Sequence, residues 1–149
     1  MSRQNAGQAL AYPVTMYAPP ALPDLSRLEE RRRLSPAALR AFFNIVKHWE
    51  VRDEDARQLL GGISSGAYYE LKKKPTRVQD QDRLLRISYL IGIFKALNIL
   101  YGTRLADAWV QLANSNPIFG GRAPLTYMLQ GGTLAMERVR SLLDARRGG

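Results

Sequence analysis

The feature that most constrains the fold of this chain is an irregular turn in its C-terminal third. The turn runs from Asn116 to Leu125 and reads Asn-Pro-Ile-Phe-Gly-Gly-Arg-Ala-Pro-Leu. Proline fixes the backbone angle φ and glycine admits positive φ, so two prolines and a double glycine define one particular backbone path. Ile118 and Phe119 lie inside the turn, and apolar residues in a polar turn usually fill a small core between flanking helices. The sequence therefore predicts a shaped turn that positions the helices on either side.

The overall charge favours an anionic partner. With 22 Lys and Arg against 13 Asp and Glu, the chain carries a net charge of +9. Such a balance is typical of proteins that bind nucleic acid or an acidic protein surface, and also of a plain solvated basic surface. Charge alone leaves these interpretations open.

Catalytic chemistry has few candidate residues. The chain has no cysteine, and its single histidine, His48, is expected to be an ordinary, partly buried helix residue. Neither a nucleotide-cradling glycine loop nor a nucleophile elbow is present, so we expect no enzyme, no cofactor and no metal site. No apolar run approaches the roughly 20 residues that cross a bilayer, and no export signal starts the chain. We therefore expect a cytoplasmic protein without membrane contact.

The N-terminal residues 1–34 show no sustained helical period and contain four prolines, which predicts a flexible arm. A first helix is expected to begin with Ser35 as its cap and Pro36 in the first helical position, where the missing N–H costs nothing. Its apolar face is predicted to enter the core and consists of Leu39, Phe42, Phe43, Val46 and Trp49.

Residues 35–78 have the outline of a helix-turn-helix domain. A second helix begins in an acidic run at Asp53 and ends at Gly61-Gly62, and a short third helix, capped by Ser64 or Ser65, ends before Pro75. One apolar stripe of the third helix faces inward, which leaves its other face free for the major groove. Serine and lysine can contact phosphates, and tyrosine can pack on a sugar or a thymine methyl. The expected DNA-binding residues are Ser64, Ser65, Tyr69, Lys72 and Lys73.

Residues 79–149 are predicted to form a long helix followed by a small helical lobe. The helix over 79–101 carries an apolar stripe so broad that it must be covered on more than one side, so it joins two lobes or packs in a dimer. Gly102 ends it, and a shorter helix follows with Leu105, Ala108, Trp109 and Leu112 on one face. A short helix after Pro124 and a last, arginine-rich helix after Gly131-Gly132 complete an all-α fold.

These C-terminal elements resemble the toxin-binding domain of the Xre/MbcA/ParS antitoxin family. The resemblance rests on a tryptophan near a helix end, the turn Asn-Pro-x-Phe-Gly-Gly-Arg-x-Pro-Leu, and a short helix that ends in Gly-Gly. It covers roughly residues 84–146, and the helix-turn-helix extends it back to about Ser35. The motif residues, which we expect to be structural, are Trp109, Asn116, Pro117, Phe119, Gly120, Gly121, Pro124, Gly131 and Gly132. The implied fold is an Xre-like helix-turn-helix lobe joined by a long helix to a small toxin-binding lobe.

The resemblance also implies a function. An antitoxin of this kind, from a type II toxin–antitoxin system, would cover the active-site cleft of a RES-domain toxin, which degrades NAD or transfers ADP-ribose from it. The complex would bind operator DNA and repress its own promoter. A homodimer within a larger toxin–antitoxin complex is expected.

We hypothesise that the last helix and its tail enter the toxin cleft. Its arginines could pair with acidic groups there, and the terminal carboxylate could occupy the position of an NAD phosphate. Alternatively, the arginines only solubilise the helix end. Arg122 precedes a helix N-terminus, where a cation needs a carboxylate partner, so it is either an internal strut or a contact at the rim. The expected toxin-binding residues are Arg122, Arg138, Arg140, Arg146, Arg147, Gly148 and Gly149.

Two other functions remain open from the sequence. One is a stand-alone repressor whose C-terminal lobe only dimerises. The other is a protein inhibitor that does not bind DNA, which is suggested by Glu70 on the otherwise basic face and by a turn one residue longer than in phage repressors. Binding to promoter DNA that weakens steeply with salt would distinguish them.

Overall fold

The structure is a computed structural model that describes residues 23–148. Within that range the chain forms five α-helices and one 3₁₀ turn, without strands, which confirms the expected all-α fold. The helices are α1 (Leu28–His48), α2 (Asp53–Leu59), α3 (Ser65–Lys73), α4 (Gln81–Trp109) and α5 (Pro124–Gly148), and the 3₁₀ turn (Pro117–Phe119) lies between α4 and α5.

Helix α1 begins at Leu28, so the expectation that an arm extends to residue 34 is wrong. The charged run at its start is helical because Glu29 and Glu30 lie in the first turn, where the helix dipole favours acids. Each also pairs with an arginine one turn later, Arg32 at 2.8 Å and Arg33 at 2.6 Å. The part of the predicted arm before residue 23 lies outside the described residues.

Ser35 is not the cap of α1 but a buried residue inside it. Its Oγ donates to the Arg31 carbonyl at 2.6 Å and accepts from the Gln79 N–H at 2.9 Å. The hydroxyl therefore connects α1 to the start of α4, and Pro36 is accommodated within the helix. The pair Ser35-Pro36, a pattern that commonly starts a helix, therefore lies in the interior of α1.

Helix α4 is the central element and packs against both α1 and α5. Its inward stripe consists of Leu84, Ile87, Leu90, Ile93, Ala96 and Leu97. By length and composition alone this helix is apolar enough to cross a membrane, but the core helix of a soluble protein meets the same criteria. Buried residues from all five helices form one hydrophobic cluster, which includes every residue of this stripe except Leu84.

The long helix is interrupted at Gly102, as the sequence predicts. The backbone there has φ 75° and ψ 162°, a conformation that only glycine adopts readily. A second interruption at Gly132 divides α5 into a short segment and a final helix, again as expected. The C-terminal lobe is therefore made of the end of α4, the 3₁₀ turn and the two segments of α5.

Polar contacts join this lobe to the N-terminal lobe, which contains α1, α2 and α3. The His48 Nδ1 lies 3.0 Å from the Asp107 Oδ2, and the Gln111 side chain donates to the Trp49 carbonyl at 3.0 Å. A third contact joins α2 to α5: the Gln58 side chain donates to the Leu129 carbonyl at 2.8 Å. These contacts and the shared core hold the two lobes as one unit.

Candidate functional site

The helix-turn-helix is formed by α2, the turn at residues 60–64 and α3. Ala56, Ile63, Tyr68 and Leu71 are buried, as predicted for the residues that bring the two helices together. Ser64, and not Ser65, caps α3, since its Oγ accepts from the Ala67 N–H at 3.2 Å. Capping uses the hydroxyl as an acceptor and leaves its proton available to a phosphate.

All five residues expected to bind DNA are exposed, but three of them already contact carboxylates. The Tyr69 hydroxyl donates to the Asp53 Oδ2 at 2.9 Å, and the Lys72 ammonium lies 3.6 Å from the Asp53 Oδ1. Lys73 lies 4.0 Å from Glu70. The hydrogen bond to Asp53 raises the pKa of the Tyr69 phenol above its ordinary value. The exposed face of α3 is thus less cationic than its sequence suggests.

The loop after α3 supplies candidate contacts that the sequence reasoning missed. Lys74, Thr76 and Arg77 are exposed there, and with Ser64 they border an open cleft of about 660 Å³ beside α3. These side chains flank α3, so they are candidates for contact with the phosphate backbone if α3 enters the major groove as expected. The signal in the sequence was the continuation of the lysine run past Pro75 to Arg77.

The turn that opens the C-terminal lobe has the shaped backbone that its sequence predicts. Asn116 caps the 3₁₀ turn by accepting from the Ile118 N–H at 3.1 Å, and Gly120 and Gly121 have φ of 57° and 83°. The Leu125 N–H donates to the Val110 carbonyl at 2.9 Å, which joins α5 to the end of α4.

Phe119 is the apolar plug of this turn, whereas Ile118 is not. The Phe119 ring is fully buried between Trp109, 5.9 Å away, and Tyr127, 5.3 Å away, both in edge-to-face geometry. Ile118 is 38% exposed, so the expectation that both residues fill the core holds only for Phe119. Ile118 instead borders a shallow surface groove of about 420 Å³ with Leu134, Leu142 and Arg138.

Arg122 acts as a strut within the turn. Its Nε donates to the Phe119 carbonyl at 2.7 Å, its Nη1 donates to the Gln130 side chain, and its guanidinium lies 5.2 Å from the Tyr127 ring centre. No carboxylate of residues 23–148 pairs with it, so the expected acidic partner is not found in the described chain. Carbonyl oxygens and an aromatic face satisfy the cation instead.

Three of the four arginines of the last helix also have partners in this chain. The Arg140 Nε lies 2.9 Å from the Asp144 Oδ2, and its guanidinium covers Gly92 of α4 so closely that a methyl group there would clash. Arg146 donates to the Tyr101 hydroxyl at 2.9 Å, and Arg147 lies 4.0 Å from Asp144.

Arg138 differs from these three. It is exposed and has no hydrogen-bond or ion-pair partner among residues 23–148. Gly148 is exposed at the helix end, and Gly149 lies outside the described residues. Within the same described range, no group of three or more acidic or histidine side chains is arranged to hold a metal ion.

Comparison with known proteins assigns both lobes. Residues 29–92 match the antitoxin Xre-like helix-turn-helix domain, and residues 96–149 match the antitoxin Xre/MbcA/ParS C-terminal toxin-binding domain. A protein of Sinorhizobium fredii (strain NBRC 101917 / NGR234), named uncharacterized protein y4oB, is 37% identical over 115 residues, which cover 76% of this chain and 87% of that protein. No solved structure matches.

The two matched domains define a two-part antitoxin, in which a DNA-binding fold precedes a domain that binds a toxin. The chain belongs to the Xre/MbcA/ParS antitoxin family.

Proposed function

We propose that this antitoxin inhibits a RES-domain toxin, which degrades NAD or transfers ADP-ribose from it, by covering the toxin's active site. The observation that carries the proposal is the end of α5, where every residue from Asp144 to Gly148 is exposed and two arginines, Arg146 and Arg147, follow one another. A helix end that presents guanidinium groups can enter a cleft and pair with carboxylates in it.

The proposed toxin contacts remain the arginines and glycines of the last helix, while Arg122 supports the turn from within. The partners of Arg140, Arg146 and Arg147 inside this chain are all exposed or half-exposed, so their ion pairs can be exchanged at small cost. Arg138, without a partner in the described chain, needs no such exchange. We expect it to be the most available of the four.

A truncation tests the role of the tail. Removing everything after Gln130 is unsuitable, because Met136, Val139 and Leu143 are fully buried and the lobe would lose its core. A chain that ends at Ala145 removes the exposed residues Arg146, Arg147 and Gly148 together with Gly149, which lies outside the described residues. NAD consumption by the protein encoded beside this gene is measured alone, with the full chain and with the truncated chain.

We expect the full chain to abolish NAD turnover and the truncated chain to bind the toxin but inhibit it at least tenfold less. The matched control is the full chain with Arg32→Ala and Arg33→Ala, which also loses two exposed arginines but on α1. Full inhibition by the truncated chain would exclude the tail from the inhibitory contact. A neighbouring protein that neither uses NAD nor binds the chain would exclude the RES toxin.

We also propose that a cytoplasmic homodimer of this chain binds operator DNA through α3 and represses its own promoter. Support comes from the exposure of Ser64, Ser65, Tyr69, Lys72 and Lys73, and from the basic loop that follows α3. Fluorescence anisotropy with promoter DNA and a scrambled duplex, repeated over a range of salt, tests this. The affinity should fall with a slope of about −0.9 per phosphate contact in a double-logarithmic plot.

A second candidate function is an inhibitor that does not bind DNA. The specific observation in its favour is the contact of Asp53 with Tyr69 and Lys72, which occupies two of the groups that would face DNA. In that case the same titration gives no preference for the promoter and no tight binding at low salt. A repressor without a toxin partner has no such support, because the C-terminal lobe matches a toxin-binding domain.

A further inference from the structure

The last turn of α4 and the turn that follows it, up to Leu112, present apolar side chains to the solvent. Leu105, Ala108, Trp109 and Leu112 follow the spacing of one helix face, and such a face normally enters the core. Here Leu105 is 52% and Leu112 56% exposed, and Ala108 is also exposed, while Trp109 is half-buried against Phe119. Ala106 and Val110, on the opposite side, are fully buried, so the two leucines face outward.

Contacts on both ends of this segment fix that orientation. Asp107 pairs with His48 of α1 at 3.0 Å, and the Val110 carbonyl accepts from the Leu125 N–H of α5 at 2.9 Å. Within the segment, next to Leu112, the Gln111 side chain donates to the Trp49 carbonyl at 3.0 Å. Rolling the helix to bury its leucines would break all of these contacts, so the exposed face is a fixed property of the fold.

Large apolar side chains exposed together at helical spacing on a protein surface often mark an interaction site. We propose that the leucine face, defined as Leu105, Ala108, Trp109 and Leu112, is the apolar anchor by which the antitoxin binds its toxin. The assignment rests on the proposed function. The arginine-rich end of α5 then serves to block the active site, while most of the binding free energy comes from the leucine face.

The position and charge of the face argue for the toxin as its occupant. The whole face lies within residues 96–149, the range that matches the toxin-binding domain. Arg104, adjacent to Leu105, is exposed and pairs with no carboxylate among residues 23–148. An apolar face with a neighbouring unpaired cation fits a partner surface with an apolar pocket bordered by carboxylates, and buried apolar anchors commonly dominate such interfaces.

The test uses the full chain with Leu105→Ser and Leu112→Ser, singly and together, and binding to the protein encoded beside this gene. Leu28→Ser is the matched control, because Leu28 is similarly exposed at 48% but lies in α1. All three positions of substitution are on the surface, so helicity and promoter binding should be unchanged. We expect each single substitution to weaken toxin binding about tenfold, the double substitution about a hundredfold, and the control less than twofold.

The outcomes separate the inference from the proposed function. Failure of the unsubstituted chain to bind the neighbouring protein would refute both. Binding of the double variant within twofold of the unsubstituted chain would refute the leucine face and leave the antitoxin assignment intact. If the double variant instead changes from dimer to monomer in light scattering while it keeps its toxin affinity, the face is a contact between two copies and the inference is also wrong. If the double variant loses helicity, the toxin affinity of a Leu112→Gln variant is compared with that of the unsubstituted chain instead, and an affinity within twofold refutes the leucine face.

Discussion

The carboxylate of Asp53 lies between the two helices of the helix-turn-helix, where it accepts from Tyr69 at 2.9 Å and faces Lys72 at 3.6 Å. In the DNA complex the same side chains would have to face phosphates, which a neighbouring carboxylate repels. If α3 binds operator DNA as proposed, Asp53 competes with the phosphates for these two groups of α3.

Replacing this carboxylate should strengthen DNA binding. Asp53→Asn removes the competing charge, so affinity for both promoter and scrambled DNA should rise several-fold, and the salt slope should steepen by about one phosphate contact. The matched control is Asp55→Asn, because this substitution makes the same change in net charge. Asp55 pairs with Arg52 at 3.3 Å and not with a residue of α3. An equal gain in the two variants would mean that only net charge matters.

Tyr68, the residue next to Tyr69, makes the stability of the fold depend on pH at high pH. Burial and the nearby Asp53 carboxylate raise the pKa of Tyr68 to about 12 from its ordinary value of 10.0. A pKa raised by folding contributes stability that is present below pH 10 and is lost as the pH rises towards 12. The free energy of unfolding should therefore fall over that interval.

The substitution Tyr68→Phe should remove this fall and add stability at neutral pH. The Tyr68 hydroxyl is buried and has no hydrogen-bond partner within residues 23–148, so its removal relieves a desolvation cost of about 1 kcal/mol or more. Urea unfolding at pH 7, 10 and 11.5 measures both effects. The prediction is wrong if the variant is less stable at pH 7 or loses stability with pH as the parent chain does.

At the scale of elements, the sequence predicts where most helices break but not where the first one starts. Glycine at Gly102 and the acids at Asp53 act locally, through backbone freedom and the helix dipole, so their effect can be read from neighbouring residues. The start of α1 is misplaced because Ser35-Pro36 has the pattern of a helix start, which outweighs the local signal of Glu29 and Glu30. That Ser35 lies inside the helix is shown by its contact with Gln79, far away in sequence. Long-range contacts of that kind leave no local pattern.

The same distinction explains the candidate sites. The outward face of α3 follows from helical spacing alone, and the five predicted residues are exposed. Their contacts with Asp53 are not predictable, because they depend on the angle between α2 and α3. Likewise, spacing groups Leu105 with Leu112, but only the packing of Ala106 and Val110 shows that this group faces the solvent.

The interruption of α4 at Gly102 tests how much stability depends on one residue with positive φ. Gly102→Ala should lower the free energy of unfolding by about 1–3 kcal/mol, because φ of 75° strains any side chain. Gly66→Ala is the control, since it lies within α3 and, like Gly102, has nothing within 4 Å of an added methyl group. There the substitution should stabilise by roughly 0.4–1 kcal/mol. Chemical denaturation measures both, and two changes of the same sign would contradict the argument.

For the whole molecule, the shared core makes the two functional lobes one thermodynamic unit. Buried residues from α1 to α5 form a single cluster, and α4 runs through both lobes. Binding to either lobe therefore stabilises the whole, and a toxin bound to the C-terminal lobe should slow the opening of the helix-turn-helix as well. In this chain the two domains share one core and are therefore expected to unfold together.

The chain carries one tryptophan in each lobe, which allows this unity to be measured. Trp49 is buried at the end of α1, and Trp109 packs against Phe119 in the C-terminal lobe. In the variants Trp49→Phe and Trp109→Phe, the remaining tryptophan reports one lobe while far-UV circular dichroism reports all helices in the same sample. If the lobes unfold together, the two signals have the same urea midpoint within each variant.

Adding Leu97→Ala, at a fully buried position of α4, should lower both midpoints by a common amount equivalent to about 2–5 kcal/mol. A tryptophan signal that changes before the helical signal in either variant would show that the lobes unfold separately, and the toxin-induced protection of the helix-turn-helix would then have no physical basis.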